Sequence, residues 1–455
     1  MKRFSGFLAS NSHTRLLEIA IVGIALLGSV FIVLFPGFYS MSLISLAVAI
    51  LAFALFLISP FRVMLFLVGI RPMLDPFRNY GVKLAAEATL NINALVALFV
   101  TISGIQYVFL QKRNFFKDKT FTLFIVFLLF LSTSYVRSPN RFEFFALFFR
   151  WLGAFSIYEL FALLVRRKTD FVRLLKTYVY FSVVPLAVAL YQAVTWGAIK
   201  FTEIIRINGT FVYPKGLSVY TAFLMFVTLG LLWDFTKSFG KKKNLKIYLS
   251  VVGLLFFLTY MRGAWVGFVT GFLAIDYFRN RARAARTFRT VLILLVIFAG
   301  IFFLVPAFSK RVLQLSSFIW RINLWKGILG HLSKREIIIG RGLGSSVSVV
   351  QIVGWGRVTQ THNDYIRILF ELGIIGLLLY LMLWGSLLKR AIRLLKVVDD
   401  EFMKSMAYVQ IGLIVFVLTM SLTDSFFGGG VFHWMFWSFA GALRGLIESK
   451  GLDRL

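Results

Sequence analysis

The sequence predicts an all-α, polytopic integral membrane protein with about 12–14 transmembrane helices and one long extracytoplasmic loop. Three observations carry that expectation. The 455 residues are 59% hydrophobic and 15% charged, and 52 are Phe, whereas an ordinary globular domain is roughly half apolar and a quarter charged. The apolar residues come in runs close to the roughly 20 residues that a helix needs to cross a bilayer. The basic residues gather in alternate loops between those runs. This composition excludes a soluble enzyme, a disordered chain and a secreted disulfide scaffold. The absence of Cys excludes disulfides, a thiolate nucleophile and a Cys-ligated metal.

The runs fall near 16–35, 38–58, 61–74, 88–110, 120–136, 142–164, 171–195, 215–235, 245–261, 263–278, 288–305, 363–388, 402–421 and 431–447. The third is short and interrupted by Arg71-Pro72, so a broken or re-entrant helix is expected there. The first is too long for a signal-peptide core and lacks a small-residue cleavage site, so it is expected to be retained. Without repeats or low-complexity linkers, residues 1–455 read as a single integral membrane domain.

Fifty basic residues against 19 acidic give a formal charge of +31. On a soluble chain that balance would suggest nucleic acid. Here the clusters include Lys112/Arg113, Arg166/Arg167, Lys241–Lys243, Arg279/Arg281 and Lys389/Arg390, and with about 14 spans all of them share one side. By the positive-inside rule that side is cytoplasmic, and so are both termini. The other side then receives the loop 196–214, the turn 260–264 and a loop at 306–362, the last too long to be a mere connector. Its Trp320, Trp325 and Trp355 suit a loop packing back onto the interface.

Of the four His residues, His13 lies in the N-terminal tail, His331 reads as solvated, and His433 sits in an aromatic cluster. His362 differs, because Thr361-His362-Asn363-Asp364 ends the long loop where a helix begins. Thr361 or Asn363 can cap that helix and Asp364 suits its first turn. The helix N-terminus lowers the pKa of an imidazole placed there, and a neutral imidazole is what a general base requires. A polar residue serving only the cap is the alternative. Arg206, Arg262 and Arg321 fall on the same side as His362, with Lys215 following Arg206. Guanidinium groups hold phosphate bidentately and keep their proton. An anionic ligand is therefore expected where acidic partners are scarce, with headgroup snorkelling as the alternative. Gly340-Arg-Gly342-Leu-Gly344-Ser345 lacks the strand and helix of a nucleotide loop and reads as a turn. Asp399-Asp400-Glu401 opens a cytoplasmic helix. Chemistry without a metal or cofactor is expected.

Taken together these residues resemble the O-antigen ligase and polymerase superfamily of bacterial membrane glycosyltransferases. His362-Asn363, nine residues, Gly373, two residues and Gly376 match its pattern H-[N/S/Q]-x9-G-x2-[G/T/Y]. Arg206-x2-Gly209-x-Phe211-x2-Pro214 resembles R-x2-G-x-F-x2-P-N, and Thr259-x2-Arg262-Gly263-Ala264 is similar to T-x-S-R-G-A. Lys215 replaces the usual Asn, and Met261 the usual Ser. The resemblance covers roughly residues 200–390. It implies a glycan donor on undecaprenyl diphosphate and transfer with inversion at the extracytoplasmic face of the bacterial inner membrane. In that scheme Arg206, Arg262, Lys215 and Arg321 hold the diphosphate, His362 is the base, and Asn363, Asp364 and Gly209 support them. A ligase acting on lipid A–core is the first expectation. A polymerase extending a nascent glycan and a lipid-linked glycan transporter are the alternatives.

Overall fold

The computed structural model describes residues 55–56, 58–79, 81–83, 89–110, 118–195, 199–201, 204–233, 241–282, 284–290, 293, 316–353 and 360–452. The apolar run 16–35, nearly all of 38–58 and most of 288–305 lie outside the described residues, as do His13 and Trp355. The other runs are helices, as expected for an all-α membrane chain. In chain order they are α1 (Pro60–Ile70), α2 (Ile92–Leu110), α3 (Lys119–Thr133), α4 (Arg141–Leu164), α5 (Lys168–Phe181), α6 (Val183–Thr195), α7 (Pro214–Trp233), α8 (Lys242–Leu258) and α9 (Arg262–Arg279). Within the long loop lie α10 (Ser316–Gly330), α11 (Lys334–Ile339) and α12 (Ser346–Val353), followed by α13 (Asp364–Val397), α14 (Glu401–Met420) and α15 (Gly430–Ser449). Two short antiparallel ribbons pair β1 (Gly81–Lys83) with β2 (Thr89–Asn91) and β3 (Ile199–Phe201) with β4 (Ile204–Arg206).

Six helical stretches among the described residues are long and apolar enough to cross a membrane: Lys119–Arg137, Arg141–Leu164, Lys168–Thr195, Pro214–Trp233, Asp364–Val397 and Glu401–Met420. Helix α1 is not one of them. It stops at Ile70 and continues as a 3-10 turn through Arg71–Met73, because Pro72 has no N–H for the helical ladder.

The described chain falls into two compact, sequence-interleaved units. The first combines residues up to 113 with 152–217 and 433–452. A buried charge cluster holds its C-terminal helix: Arg444 pairs with Glu159 on α4 and, at 2.9 Å, with Glu448, which Arg166 also reaches at 3.2 Å. Nearby, the buried Tyr178 hydroxyl shares a 2.7 Å hydrogen bond with Ser438.

The second unit combines 114–151 with 218–432. Asp118 caps α3, accepting from Thr120 N, and pairs with Arg390 near the end of α13. At the far end of α3, Arg137 Nη2 donates to Ile339 O at 3.1 Å and Ser138 Oγ to Leu343 O at 2.8 Å. Helices α3 and α13 therefore run antiparallel. So do α9 and α14, joined by Thr270 and Thr419 at 3.0 Å, and α13 and α14, where Tyr365 OH donates to Leu418 O at 2.6 Å. One end of this unit consequently gathers Asp118, Arg390 and the Arg279–Trp233 cation–π contact. The opposite end gathers the starts of α9 and α13, the end of α14 and the segments α10 to α12. The basic clusters at 279–281 and 389–396 thus share one end, the segregation that the loop pattern predicts.

Helix α13 breaks at Gly373, whose φ of 69° interrupts an otherwise helical run. A Cβ there would run into the Ile338 carbonyl, so only glycine satisfies both the left-handed backbone and the contact. The carbonyls just before the break take partners from the long loop, with Arg341 N donating to Phe370 O at 3.0 Å and Gly342 N to Glu371 O at 2.9 Å. The Gly340–Gly344 motif is therefore a clasp on the helix break, and it needs glycine for that close approach: a Cβ on Gly340 (φ 75°) would meet the Glu371 carbonyl. Replacing Gly373 with Ala should cost on the order of 1–3 kcal/mol from backbone strain alone and lower the thermal midpoint in detergent by several degrees. Gly385→Ala, on the same helix with nothing within 4 Å of its Cβ, should instead hold or raise stability by about 0.5–1 kcal/mol. A Gly373→Ala protein as stable as the parent would contradict the clasp.

Candidate functional site

The site end of the second unit is built around the turn 421–427 between α14 and α15. Asn363 is the N-cap of α13, its side chain accepting from Ile366 N at 3.0 Å while its Nδ2 donates to Leu422 O at 3.0 Å. The cap is thus Asn363, and Thr361 supports it by donating to the Asn363 carbonyl at 3.1 Å. Asp364, fully buried, has its own N–H bonded to Ser421 O at 2.9 Å. Its Oδ2 accepts from Ser421 Oγ at 3.1 Å, from Phe426 N at 2.5 Å and from Phe427 N at 3.0 Å. A carboxylate receiving two backbone amides at a helix N-terminus is strongly favoured. Asp364 therefore ties the turn to the start of α13.

The same turn positions the cations. Arg321 on α10 donates from Nη1 to Thr423 O at 3.0 Å. The start of α9 sits against Thr423 as well, since a Cβ on Gly263 would collide with the Thr423 hydroxyl. Arg262, the first residue of α9, is exposed, and Arg321 is half-buried. Burial pushes the Arg321 guanidinium down from its ordinary value; the neighbouring Asp424 carboxylate acts against that and the like charge of Arg262 reinforces it. Arg321 accordingly feels one carboxylate, Asp424, and one further guanidinium, that of Arg262 at the exposed start of α9.

His362 immediately precedes the cap and has φ 52°, while Tyr260, in the turn before Arg262, has φ 54°. Among the described residues these are the two non-glycine positions with left-handed backbone. Such strain costs about 1–3 kcal/mol each and persists where the surroundings over-determine it. Two contacts fix the His362 turn. Trp325 Nε1 donates to Thr361 O at 2.8 Å, and the Trp320 ring lies edge-on to the imidazole at 6.4 Å between centroids. Helices α10 and α12 pack a small core of Leu324, Ile328, Val349 and Val350 against Phe370 of α13. Two of the loop tryptophans therefore brace the histidine. One turn further along α13, buried Glu371 accepts from Ser346 Oγ at 2.5 Å and from Arg367 Nε at 3.1 Å.

Arg206, Gly209 and Lys215 belong to the first unit. Arg206 ends β4, opposite Ile199. Gly209 has φ 57° and sits where a Cβ would come within 2.9 Å of Pro185 O. Gln192 of α6 holds this loop, its Oε1 accepting from Asn208 N at 3.0 Å and Gly209 N at 2.8 Å and its Nε2 donating to Gly209 O at 3.2 Å. Thr210 and Val212 bond to Pro72 O and Asp75 Oδ2. Lys215 is the second residue of α7. Of the residues expected to form the site, the structure thus groups Arg262, Arg321, His362, Asn363 and Asp364 in one unit.

Sequence reasoning missed Asp424, Gln192, and the Arg367–Glu371 pair. Asp424 carried a usable signal, because an ionisable residue in a short turn between two apolar helices marks a functional position by default. Gln192 carried none, being one polar residue in an apolar helix. Elsewhere, His331 is exposed with Nδ1 2.7 Å from Gly327 O, and Asp400 caps α14, both as ordinary local chemistry.

Residues 247–381 match a protein-family model described as O-Antigen ligase. No curated protein matches the chain. The matched stretch contains Arg262, Arg321, the Gly340–Gly344 clasp, His362 and Gly373; Arg206 and Lys215 precede it.

The Asp364 brace has a direct readout. In Asp364→Asn the acceptor charge is lost, and the Phe426 and Phe427 amides should exchange hydrogen at least tenfold faster, while amides of α12 keep their protection. Unchanged exchange at Phe426 and Phe427 would show that the turn does not depend on the carboxylate.

Proposed function

We propose that this protein transfers a glycan from undecaprenyl diphosphate to an acceptor sugar hydroxyl, a reading supported by the match of residues 247–381 to the O-antigen ligase family model. The observation that carries the proposal is that Arg262 and Arg321 lie close enough to repel, with Asp424 acting on Arg321, while Trp320 beside Arg321 packs on a strained His362. Two like charges held together by the fold are relieved by a bound anion, and a lipid diphosphate is an anion that gains charge as it leaves. The acceptor oxygen attacks the anomeric carbon from the face opposite the leaving group, the carbon–oxygen bond to diphosphate breaks, and the configuration inverts. Fixed guanidinium groups meet the charge that develops on the departing diphosphate. The acceptor proton passes to the His362 imidazole and from there to water. We retain Arg206 and Lys215 as donor-binding residues on their sequence pattern.

The family description, O-Antigen ligase, favours lipid A–core as the acceptor. The reaction belongs on the extracytoplasmic face of the inner membrane. That orientation can be read with cysteines, since the chain has none. Lys334→Cys, exposed on α11, should react with an impermeant maleimide in intact spheroplasts, and Lys396→Cys, exposed at the end of α13, should not. The reverse pattern would place the site in the cytoplasm and remove the reading.

Reconstituted protein with a labelled lipid-linked donor tests the chemistry itself. Removal of one fixed donor to a transition-state charge typically costs on the order of 10²–10³ in rate. Arg262→Lys and Arg321→Lys keep charge but lose the planar fork, so both should fall in that range. His362→Gln cannot accept a proton and should abolish transfer while donor binding persists. In the parent enzyme the rate should fall as pH drops through the imidazole range, near 6.5 for an unperturbed His, because the protonated ring cannot act as base. EDTA should leave the rate unchanged. An active, folded His362→Gln enzyme would end the base assignment.

A further inference from the structure

A second cationic site lies away from these residues, at the end of the Lys119–Arg137 span. There the residues following α3 and the capped start of α11 enclose an open concavity of about 380 Å3, lined by Arg137, Arg335, Arg341, Ser333, Glu336 and Gly340 among others. Its charges do not balance. Three guanidinium groups face one carboxylate, and that carboxylate is already committed. Glu336 closes the capping box of α11, accepting from Ser333 N at 2.8 Å, and its other oxygen lies 3.4 Å from Arg341 Nε. The hydrogen bond from Ser333 holds the Glu336 carboxyl below its usual range, so it stays ionised and occupied. Arg137 is fixed by its bond to Ile339 O. The exposed Arg335 makes no hydrogen bond or ion pair among the described residues, yet it lies close enough to Arg137 for the two to repel. The backbone beneath is rigid, because Gly340 is wedged against the α13 break.

We propose that this concavity binds a phosphate monoester or diester, with Arg137 and Arg335 converging on its oxygens and Arg341 closing one side. Guanidinium groups suit phosphate by their paired donors, and prepositioned side chains lower the ordering cost of binding. The volume lies at the low end of small-molecule sites, and it leaves room for a group attached to the phosphate, such as a sugar or a glycerol. Because Arg137 ends a candidate span, the phosphate sits at headgroup level. A phosphorylated saccharide and an anionic phospholipid headgroup share this chemistry. Phosphate binding there is separate from glycosyl transfer and is read without turnover.

The test uses the full chain in phosphatidylcholine nanodiscs, carrying Lys334→Cys with an environment-sensitive fluorophore. Glucose 1-phosphate should give a saturable signal and glucose none. Arg335→Gln should weaken the response at least tenfold, and raising NaCl from 50 to 500 mM should weaken it similarly, since exposed charge pairs are screened. Unlabelled protein should show the same dependence in its thermal midpoint. If phosphatidylglycerol discs suppress the glucose 1-phosphate response, the headgroup is the occupant; if the response persists there, the saccharide is. Both results support the phosphate site. No saturable response in phosphatidylcholine, a response confined to the labelled protein, or equal binding by Arg335→Gln would overturn it.

Discussion

The site end of this protein hangs on one carboxylate. Asp364 lies at the first turn of α13, where the helix N-terminus favours negative charge, and it gathers Ser421 and the amides of Phe426 and Phe427. The turn so held presents the Leu422 carbonyl to the Asn363 cap and the Thr423 carbonyl to Arg321, and the start of α9 packs on Thr423. Without that anchor, the elements that carry His362, Arg321 and Arg262 would share no fixed reference. Below it, Phe427 joins the buried rings of Trp151 and Tyr380, 5.2 and 5.9 Å away, so the polar knot rests on an aromatic core. Breaking a buried, hydrogen-bonded charge typically costs about 3–5 kcal/mol, enough to make this knot a single structural element.

A second constraint comes from the break in α13. A continuous helix would carry Glu371 and Arg367 upward with no place for the long loop. The left-handed Gly373 instead opens a seat for Gly340–Gly344, and the Arg367–Glu371 pair with Ser346 locks it. The long loop is therefore not a free cover. Its helices α10 and α12 are bolted to the first segment of α13, and that bolting holds Trp320 and Trp325 beside His362. Strain at His362 is sustained by these contacts, which matches the tendency of left-handed non-glycine residues to mark functional positions.

Much of this was legible in the sequence, for physical reasons. Hydropathy marks helices because lipid solvates only apolar surface, so most runs from 88 onward that fall within the described residues emerge as helices within a few residues of their expected bounds, with 171–195 divided in two after Phe181 and 363–388 extended through the basic stretch to Val397. Within the second unit the basic clusters at 279–281 and 389–396 lie at one end, as the alternation of loop charge leads one to expect. The role of Asn363 as a cap follows from its residue type at a loop-to-helix boundary. What local pattern could not supply was partnership across long separations. Asp364 reads as a favourable first-turn residue, yet its partners lie some sixty residues later. Gly340-Arg-Gly342-Leu-Gly344 reads as a turn, and only the α13 break explains why it must be glycine-rich.

We propose that Arg262 and Arg321, set by the Asp364-braced turn, form a preorganised diphosphate cradle beside His362. A high-resolution structure of the full protein in a nanodisc with undecaprenyl diphosphate bound tests it most directly. Both guanidinium groups should lie within hydrogen-bonding distance of phosphate oxygens, with the 421–427 turn unmoved and His362 still left-handed next to the anomeric position. A diphosphate lodged elsewhere, with Arg262 and Arg321 both turned onto Asp424, would contradict it.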